Sequence, residues 1–191
     1  IIIKNVLIIG SGVMGSRIAC YLSDVGLSVF LLDIIGNDKN RNSIVNSNLN
    51  KTIKSRPEPL LDKSNVHNIT TGNIIDDIDK IKDSDWIIEA VSEKENIKKE
   101  VLDIIEKNKK KESIVSTNTS GLSINNLVKG RSKEFKENFL GIHFFNPPRY
   151  LNLFEVVPGP DCKKEILDFL LDYGEKFLGK TSVLAKDTPA F

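Results

Sequence analysis

A glycine-rich turn between two apolar segments restricts the fold of this sequence more than any other feature. Residues Gly10 to Gly15 read Gly-Ser-Gly-Val-Met-Gly and directly follow the apolar run from Val6 to Ile9. Beyond the turn, apolar residues recur at helical spacing at Met14, Ile18, Leu22 and Val25. A strand, a glycine turn and a helix in this order predict the first half of a βαβ unit.

The middle of the chain continues the alternation of strands and helices. Apolar runs predict strands at Leu27 to Leu32, Val66 to Thr70, Trp86 to Ala90 and Ser113 to Thr117. Helices between them are indicated by Val45, Leu49 and Ile53, by the apolar residues from Ile97 to Ile105, and by Leu122 to Val128. Strands that are separated by helices predict a parallel sheet.

The pattern changes after Phe139. Two strands, Phe139 to Phe145 and Leu151 to Val157, are separated by a proline-containing turn and no helix, so we expect them to be antiparallel. A last helix is predicted between a capping Asp161 and Gly179. The whole pattern predicts an α/β domain of Rossmann type, doubly wound, with a mostly parallel sheet and antiparallel strands at its C-terminal end.

Composition excludes several classes of protein. The chain has 191 residues, 40% of them hydrophobic, which is enough for one large globular domain. Its 27 basic and 26 acidic residues give no basic surface for nucleic acid. Cys20 and Cys162 lack the spacing of a metal site, so we expect no metal and a cytoplasmic setting. The apolar start, Ile1 to Ile9, is too short to span a membrane, so we expect no membrane partner.

The glycine turn matches G-x-G-x-x-G, a pattern that binds the pyrophosphate of a dinucleotide at a helix N-terminus. Gly10 permits the tight turn, Gly12 lets the pyrophosphate approach the backbone, and Gly15 permits close helix packing. Val13 and Met14 then start the helix that faces the phosphates. The alternative is a glycine-rich turn that binds no ligand.

Asp33 ends the second predicted strand about 20 residues after the glycines, where a carboxylate accepts hydrogen bonds from the adenosine ribose. A 2′-phosphate would meet like charge there, and Ile34 and Ile35 offer no guanidinium to compensate. We therefore expect NAD rather than NADP. The alternative is an ordinary aspartate at the end of a strand.

With its second half included, the sequence resembles the NAD-binding domain of the 3-hydroxyacyl-CoA dehydrogenase family. The resemblance rests on the glycine turn and on five further motifs: Glu89 to Glu93 with Lys98, Ser116 to Ser120, Gly141 to Pro147, Glu155 to Val157, and Lys186 to Pro189. Phe144 to Leu151, with Leu31 to Ile34 and Thr71 to Ile74, is most similar to bacterial or archaeal members fused ahead of an enoyl-CoA hydratase domain.

The resemblance implies NAD-dependent oxidation of L-3-hydroxyacyl-CoA to 3-oxoacyl-CoA, as in fatty acid beta-oxidation, with His143 as the general base. Imidazole titrates near neutrality, so it can both accept and return the hydroxyl proton. If the turn between the last two predicted strands centres on Arg149, His143 and Glu155 lie opposite each other, and the carboxylate would orient the imidazole. The alternative is a structural histidine within a strand. We expect His67, among polar residues, to be structural.

The resemblance also implies further site residues. Ser120 would contact the cofactor and the substrate oxygen, although a serine there could instead cap the helix from Leu122 to Val128. Glu93 and Lys98 would lie near the nicotinamide ribose, with Lys98 meeting a CoA phosphate; without the resemblance they could be an exposed helical charge pair. The remaining implied cofactor contacts are Ala90, Val91 and Asn146, and asparagine before proline is also a common turn residue.

We expect residues 1–184 to form the NAD-binding domain and residues 185–191 to begin the linker to a C-terminal helical domain. In the family, the motif from Lys186 to Pro189 continues with glycine, where this chain has Ala190, into a helix with a catalytic asparagine that this sequence lacks. That domain would close over the acyl-CoA and supply the contacts of a homodimer. The chain alone should therefore bind NAD and turn over poorly.

Two other functions remain open from sequence. One is a related Rossmann dehydrogenase that acts on a free hydroxy acid or sugar acid, such as a gulonate dehydrogenase. The other is an NAD-sensing module without catalysis, which would retain Gly10 to Gly15 but would not need His143 together with Glu155. The presence of both residues argues against the second.

Overall fold

The computed structural model describes residues 1–188 and contains an eight-stranded sheet flanked by helices. Its strands are β1 (Asn5–Ile9), β2 (Ser28–Asp33), β3 (Ile69–Asn73), β4 (Trp86–Glu89), β5 (Ile114–Thr117), β6 (Phe139–Phe144), β7 (Leu153–Pro158) and β8 (Thr181–Leu184). Its α-helices are α1 (Val13–Asp24), α2 (Ser43–Ile53), α3 (Asp79–Asp83), α4 (Glu95–Asn108), α5 (Ile124–Val128), α6 (Lys133–Glu137) and α7 (Lys164–Lys176). A 3-10 helix, Lys63–Asn68, precedes β3.

The strand order in the sheet is β3-β2-β1-β4-β5-β6-β7-β8. The strands from β3 to β6 in this order are parallel, β6 and β7 are antiparallel, and β8 is parallel to β7. The predicted fold class, with its antiparallel strands at the C-terminal end, is therefore confirmed. Because β1 pairs with β2 on one side and β4 on the other, the strand order reverses at β1, where such sheets bind ligands beyond the strand ends.

The core has two layers, one on each face of the sheet. In β1, Val6 and Ile8 belong to the layer that includes residues of α1, α2 and α7, whereas Leu7 and Ile9 belong to the layer that includes residues of α4, α5 and α6. Strands whose residues are buried on both faces form the continuous apolar runs that the sequence shows. This sandwich holds the carboxyl ends of β1, β2, β4 and β5 in fixed relative positions.

Several boundaries differ from the sequence predictions. β3 begins at Ile69 rather than at Val66, because the preceding segment forms a 3-10 helix capped by Asp62. Helix α7 begins at Lys164, so the predicted cap at Asp161 is wrong. Strand β8 was not predicted, because Thr181 to Leu184 is short and largely exposed at the edge of the sheet.

The predicted linker, residues 185–191, lies partly outside the described residues, and the domain boundary after residue 184 stays a prediction. Within residues 1–188, no helix combines the length and the apolar character that crossing a bilayer requires. Cys20 and Cys162 are both free thiols, and burial raises the pKa of the Cys20 thiol to about 12.

Candidate active site

The glycine turn joins β1 to α1 at the point where the strand order reverses. Gly10 has a φ of +105°, and a Cβ there would lie 2.6 Å from the carbonyl oxygen of Ala90. A Cβ on Gly15 would lie 1.8 Å from the carbonyl oxygen of Gly10. At Gly12, in contrast, a Cβ would meet no atom within 4 Å. Gly10 and Gly15 are therefore required by the protein's own packing, whereas Gly12 borders open space.

The N-terminus of α1 faces that space. Gly12 precedes the helix and no side chain caps it, so the first N–H groups of α1 are left without side-chain acceptors. These groups and the helix dipole create a site for an anion. The geometry thus fits a pyrophosphate that approaches the backbone at Gly12.

Asp33, at the end of β2, lies across the turn from α1. Its Oδ2 accepts hydrogen bonds from the backbone N–H of Ser11 at 2.7 Å and from the Ser11 hydroxyl, and its Oδ1 accepts one from the N–H of Ile34 at 2.7 Å. These hydrogen bonds hold the carboxylate beside the glycine turn, and its contact with the adenosine ribose stays a prediction.

Two adjoining cavities meet at Met14, Ala90 and Val91. The larger, about 660 Å³, is mostly apolar and is lined by the glycine turn, Asp33, Ile34, Ile44, Asn48 and Ile74, among others. The smaller, about 290 Å³, is lined by Glu93, Asn118, Ser120, His143, Phe144, Phe145 and Asn146 in addition to the shared residues. An elongated ligand across the glycine turn would reach both.

His143 and Glu155 form the polar pair of the β6–β7 hairpin. They are direct partners in the antiparallel register, as the sequence predicted from a turn centred on Arg149. The distance from His143 Nδ1 to Glu155 Oε2 is 2.8 Å, and both side chains are mostly buried. Because an ionised carboxylate can only accept, Nδ1 carries the hydrogen and the lone pair of the neutral ring lies on Nε2.

Ser120 lies beyond the end of β5 and is exposed to the smaller cavity. Glu93 holds the loop that contains Ser120, because its Oε1 accepts hydrogen bonds from the Thr119 hydroxyl and from the N–H groups of Ser120 and Gly121. Burial alone would raise the pKa of Glu93, but these hydrogen bonds and the charge of Lys98 hold that pKa below its ordinary value. The suggestion that Ser120 caps the next helix is wrong, because Ser123 caps α5.

Lys98 does not line either cavity. It is fully buried on α4, and its Nζ lies 2.9 Å from Glu89 Oε1, 3.1 Å from Glu89 Oε2 and 3.4 Å from Glu93 Oε2. This position does not match the prediction of a direct contact with a CoA phosphate, and it equally excludes an exposed charge pair. The charge of Glu89, which is also fully buried, offsets the cost of burying the lysine.

The remaining predicted residues divide between the two cavities. Val13 and Met14 line the larger cavity, and Asn146 lines the smaller one. Gly15 packs against the backbone of Gly10 within the turn. His67 lies exposed in the 3-10 helix, away from both. Within residues 1–188, no cluster of histidine, cysteine and acidic side chains could hold a metal ion.

Two site residues were not singled out from the sequence. Asn118 lines the smaller cavity, and its Oδ1 accepts a hydrogen bond from the N–H of Phe144, which links β5 to the His143 strand. The ring centroids of Phe145 and His143 are 4.3 Å apart. Asn118 could have been found from its position at a strand end beside Ser120, whereas the Phe145 contact depends on the hairpin geometry.

A doubly wound sheet, an uncapped helix after a glycine turn and an aspartate at the end of the second strand define a dinucleotide-binding domain of the dehydrogenase type. The model of the 3-hydroxyacyl-CoA dehydrogenase NAD binding domain matches residues 5–188. The chain therefore belongs to that family, and the predicted family and the predicted cofactor, NAD, are confirmed.

Related sequences agree with this assignment. The chain is 44% identical to a probable 3-hydroxyacyl-CoA dehydrogenase of Bacillus subtilis, over 99% of this chain and 26% of the relative. It is 40% identical to a protein of the same description in Deinococcus radiodurans, over 99% of this chain and 55% of the relative. A putative fatty acid oxidation complex trifunctional enzyme of Rickettsia felis is 39% identical, with 26% of its length covered. The chain thus spans between a quarter and about half of these relatives.

Solved structures have the same fold. (S)-3-hydroxybutyryl-CoA dehydrogenase from Ralstonia eutropha aligns with a TM-score of 0.78 and 29% identity, covering 100% of this chain and 66% of that one. 3-Hydroxybutyryl-CoA dehydrogenase from Escherichia coli aligns with a TM-score of 0.79 and 27% identity, covering 100% of this chain and 40% of that one.

Proposed function

We propose that this chain is the cofactor-binding part of an NAD-dependent dehydrogenase that oxidises L-3-hydroxyacyl-CoA to 3-oxoacyl-CoA. The observation that carries the proposal is the His143–Glu155 pair, which lies beside the cavity that also contains Ser120 and adjoins the glycine turn. A protein that only binds NAD has no need for an imidazole oriented by a carboxylate at this place.

In this reaction His143 accepts the proton of the substrate 3-hydroxyl on Nε2. Glu155 holds Nδ1 and stabilises the imidazolium that results, since an adjacent carboxylate favours the charged form. The Ser120 hydroxyl, which can donate and accept, hydrogen-bonds the substrate oxygen and the cofactor. Bound NAD supplies the hydride acceptor. In the reverse direction the imidazolium returns the proton to the substrate oxygen.

In the larger cavity, Asp33 and the apolar side chains of Ile34, Ile44 and Ile74 would hold the adenosine of NAD. Gly12 and the N-terminus of α1 would hold its pyrophosphate, and Ala90, Val91, Glu93 and Asn146 would surround its nicotinamide end. Lys98 acts on this site through Glu93 and Glu89 rather than by direct contact.

The substrate class rests on the relatives, which are described as 3-hydroxyacyl-CoA or 3-hydroxybutyryl-CoA dehydrogenases and as putative enzymes of a fatty acid oxidation complex. The proposal therefore includes a role in fatty acid beta-oxidation.

It also includes a C-terminal helical domain that completes the acyl-CoA site and forms the homodimer. A cytoplasmic location, supported by the two free thiols, belongs to the same proposal.

The direct test is reduction of acetoacetyl-CoA by NADH in the full-length protein, with free acetoacetate as the matched substrate that lacks CoA. We expect rapid NADH oxidation with the thioester and little with the free acid. Equal rates with both substrates would favour a dehydrogenase for a free hydroxy or sugar acid. NADH binding without oxidation of either substrate would favour an NAD-sensing module.

A further inference from the structure

A chain of side-chain hydrogen bonds, called the relay below, connects Asp33 to helix α2 through Ser11. Nδ2 of Asn48, in the middle of α2, lies 3.0 Å from Oγ of Ser11, and Ser11 Oγ in turn contacts Asp33 Oδ2. Ser11 is fully buried, and Asn48 lines the larger cavity beside Asp33. Ser11 occupies the variable second position of the glycine motif, to which the motif itself assigns no role.

The chemistry fixes the direction of these hydrogen bonds. An ionised carboxylate only accepts, so the single hydroxyl hydrogen of Ser11 must point to Asp33. The Ser11 oxygen is then an acceptor toward α2, and Asn48 must present its amide N–H₂ rather than its carbonyl oxygen. Donation from Asn48 therefore holds the Ser11 hydroxyl in the rotamer that serves Asp33.

The relay leaves Asp33 little freedom. A carboxylate has about four acceptor positions, of which Ser11 N–H, Ser11 O–H and Ile34 N–H use three. Both positions on Oδ2 are filled, and the remaining one, on Oδ1, suits a hydroxyl donor. A 2′-phosphate brings only acceptors and negative charge, and it would require the carboxylate to turn away.

We propose that Ser11 and Asn48 are positioning residues for cofactor selectivity, which hold Asp33 in the orientation that accepts a ribose hydroxyl and rejects a 2′-phosphate. This inference rests on the proposed role of Asp33. Its consequence is that selectivity between NADH and NADPH depends on a residue of α2 that lies 37 positions along the chain from Ser11.

The test measures dissociation constants for NADH and NADPH by cofactor fluorescence in the chain and its variants. Asn48→Leu removes the amide donor, and Asn46→Leu is the matched control on the same helix, where the asparagine bonds Thr71 instead. We expect the NADPH/NADH ratio of dissociation constants to fall about 3-fold in Asn48→Leu and about 10-fold in Ser11→Ala, as loosening of a charge-assisted hydrogen bond allows. In Asn46→Leu the ratio should not change.

Loss of folding would weaken the binding of NADH and NADPH together, so only a change in the ratio of their dissociation constants supports the relay. Ser11→Ala serves as an independent variant if Asn48→Leu unfolds in a thermal melt. Asp33→Asn distinguishes the role of Asp33 in selectivity from the role of the relay that positions it. An unchanged ratio in that variant would refute the role of Asp33 itself. A ratio that falls in Asp33→Asn but stays at the wild-type value in both Ser11→Ala and Asn48→Leu would overturn the relay alone.

Discussion

The two halves of the site are held in place by different means. At the glycine turn, backbone packing around Gly10 and Gly15 sets the geometry, and hydrogen bonds from Ser11 hold Asp33 beside it. At the β6–β7 hairpin, the geometry depends on a cross-strand side-chain pair, His143 and Glu155. Binding a cofactor and moving a proton should therefore respond to different substitutions.

The hairpin also depends on contacts from distant parts of the chain. Nζ of Lys180, just before β8, donates hydrogen bonds to the carbonyl oxygens of Pro148 and Leu151 and lies 4.2 Å from the ring centroid of Tyr21. On the other side, Nη1 of Arg149 donates to the carbonyl oxygens of Glu58 and Leu60 at 3.0 and 2.9 Å. The turn that positions His143 is thus fixed by the buried Lys180 and the half-buried Arg149, whereas none of the contacts described above for the glycine turn involves a cation.

The largest effect should come from removing the imidazole. We predict that His143→Gln lowers kcat of the full-length protein by about 100-fold or more, because general-base catalysis contributes this much. NADH affinity should stay near the wild-type value, since the glycine turn and Asp33 are untouched. Steady-state kinetics with acetoacetyl-CoA and a fluorescence titration with NADH measure the two quantities. Near-normal turnover would remove His143 from its proposed role.

The glycines give the complementary test. Gly12→Val places a side chain in the open space where the pyrophosphate should lie, so we predict about 10-fold weaker NADH binding with little change in the melting temperature. Gly15→Val puts a Cβ against the backbone of Gly10 and should lower the melting temperature itself. Calorimetry and NADH titration separate the two outcomes. Equal loss of stability in both variants would show that Gly12 is a packing residue.

The smallest effect concerns Lys180, the buried lysine that contacts the hairpin turn. Burial lowers the pKa of Lys180 to about 8 from 10.5, so between these pH values the unfolded chain binds more protons than the folded one. Stability attributable to Lys180 should therefore rise with pH across this window. The free energy of unfolding of the wild type, relative to Lys180→Met, should increase from pH 8 to pH 10.5 in urea titrations. A constant difference would contradict the lowered pKa.

The same contrast explains which features could be predicted from the sequence. The glycine turn and the strand ending at Asp33 are local, so sequence spacing alone locates them. The pairing of His143 with Glu155 was also predictable, because a hairpin fixes its register through its turn. These features carry most of the fold and of the proposed chemistry.

Other contacts join residues far apart in sequence and could not be read from local patterns. The burial of Lys98 against Glu89 depends on how α4 packs on β4, and the contact between Asn48 and Ser11 depends on how α2 packs on α1. Strand β8 is short and forms only by adding to the edge of β7. Polar side chains in such places have no periodic signature, so they become visible only in three dimensions.

A crystal structure of the chain with bound NAD⁺ would be decisive for the whole site. We predict pyrophosphate oxygens at the N–H groups of α1, the adenosine ribose on Asp33 and the nicotinamide ring in the smaller cavity, which His143 lines. A nicotinamide bound outside that cavity, or a His143 side chain turned away from it with Glu155 unpaired, would leave the imidazole without a part in the reaction.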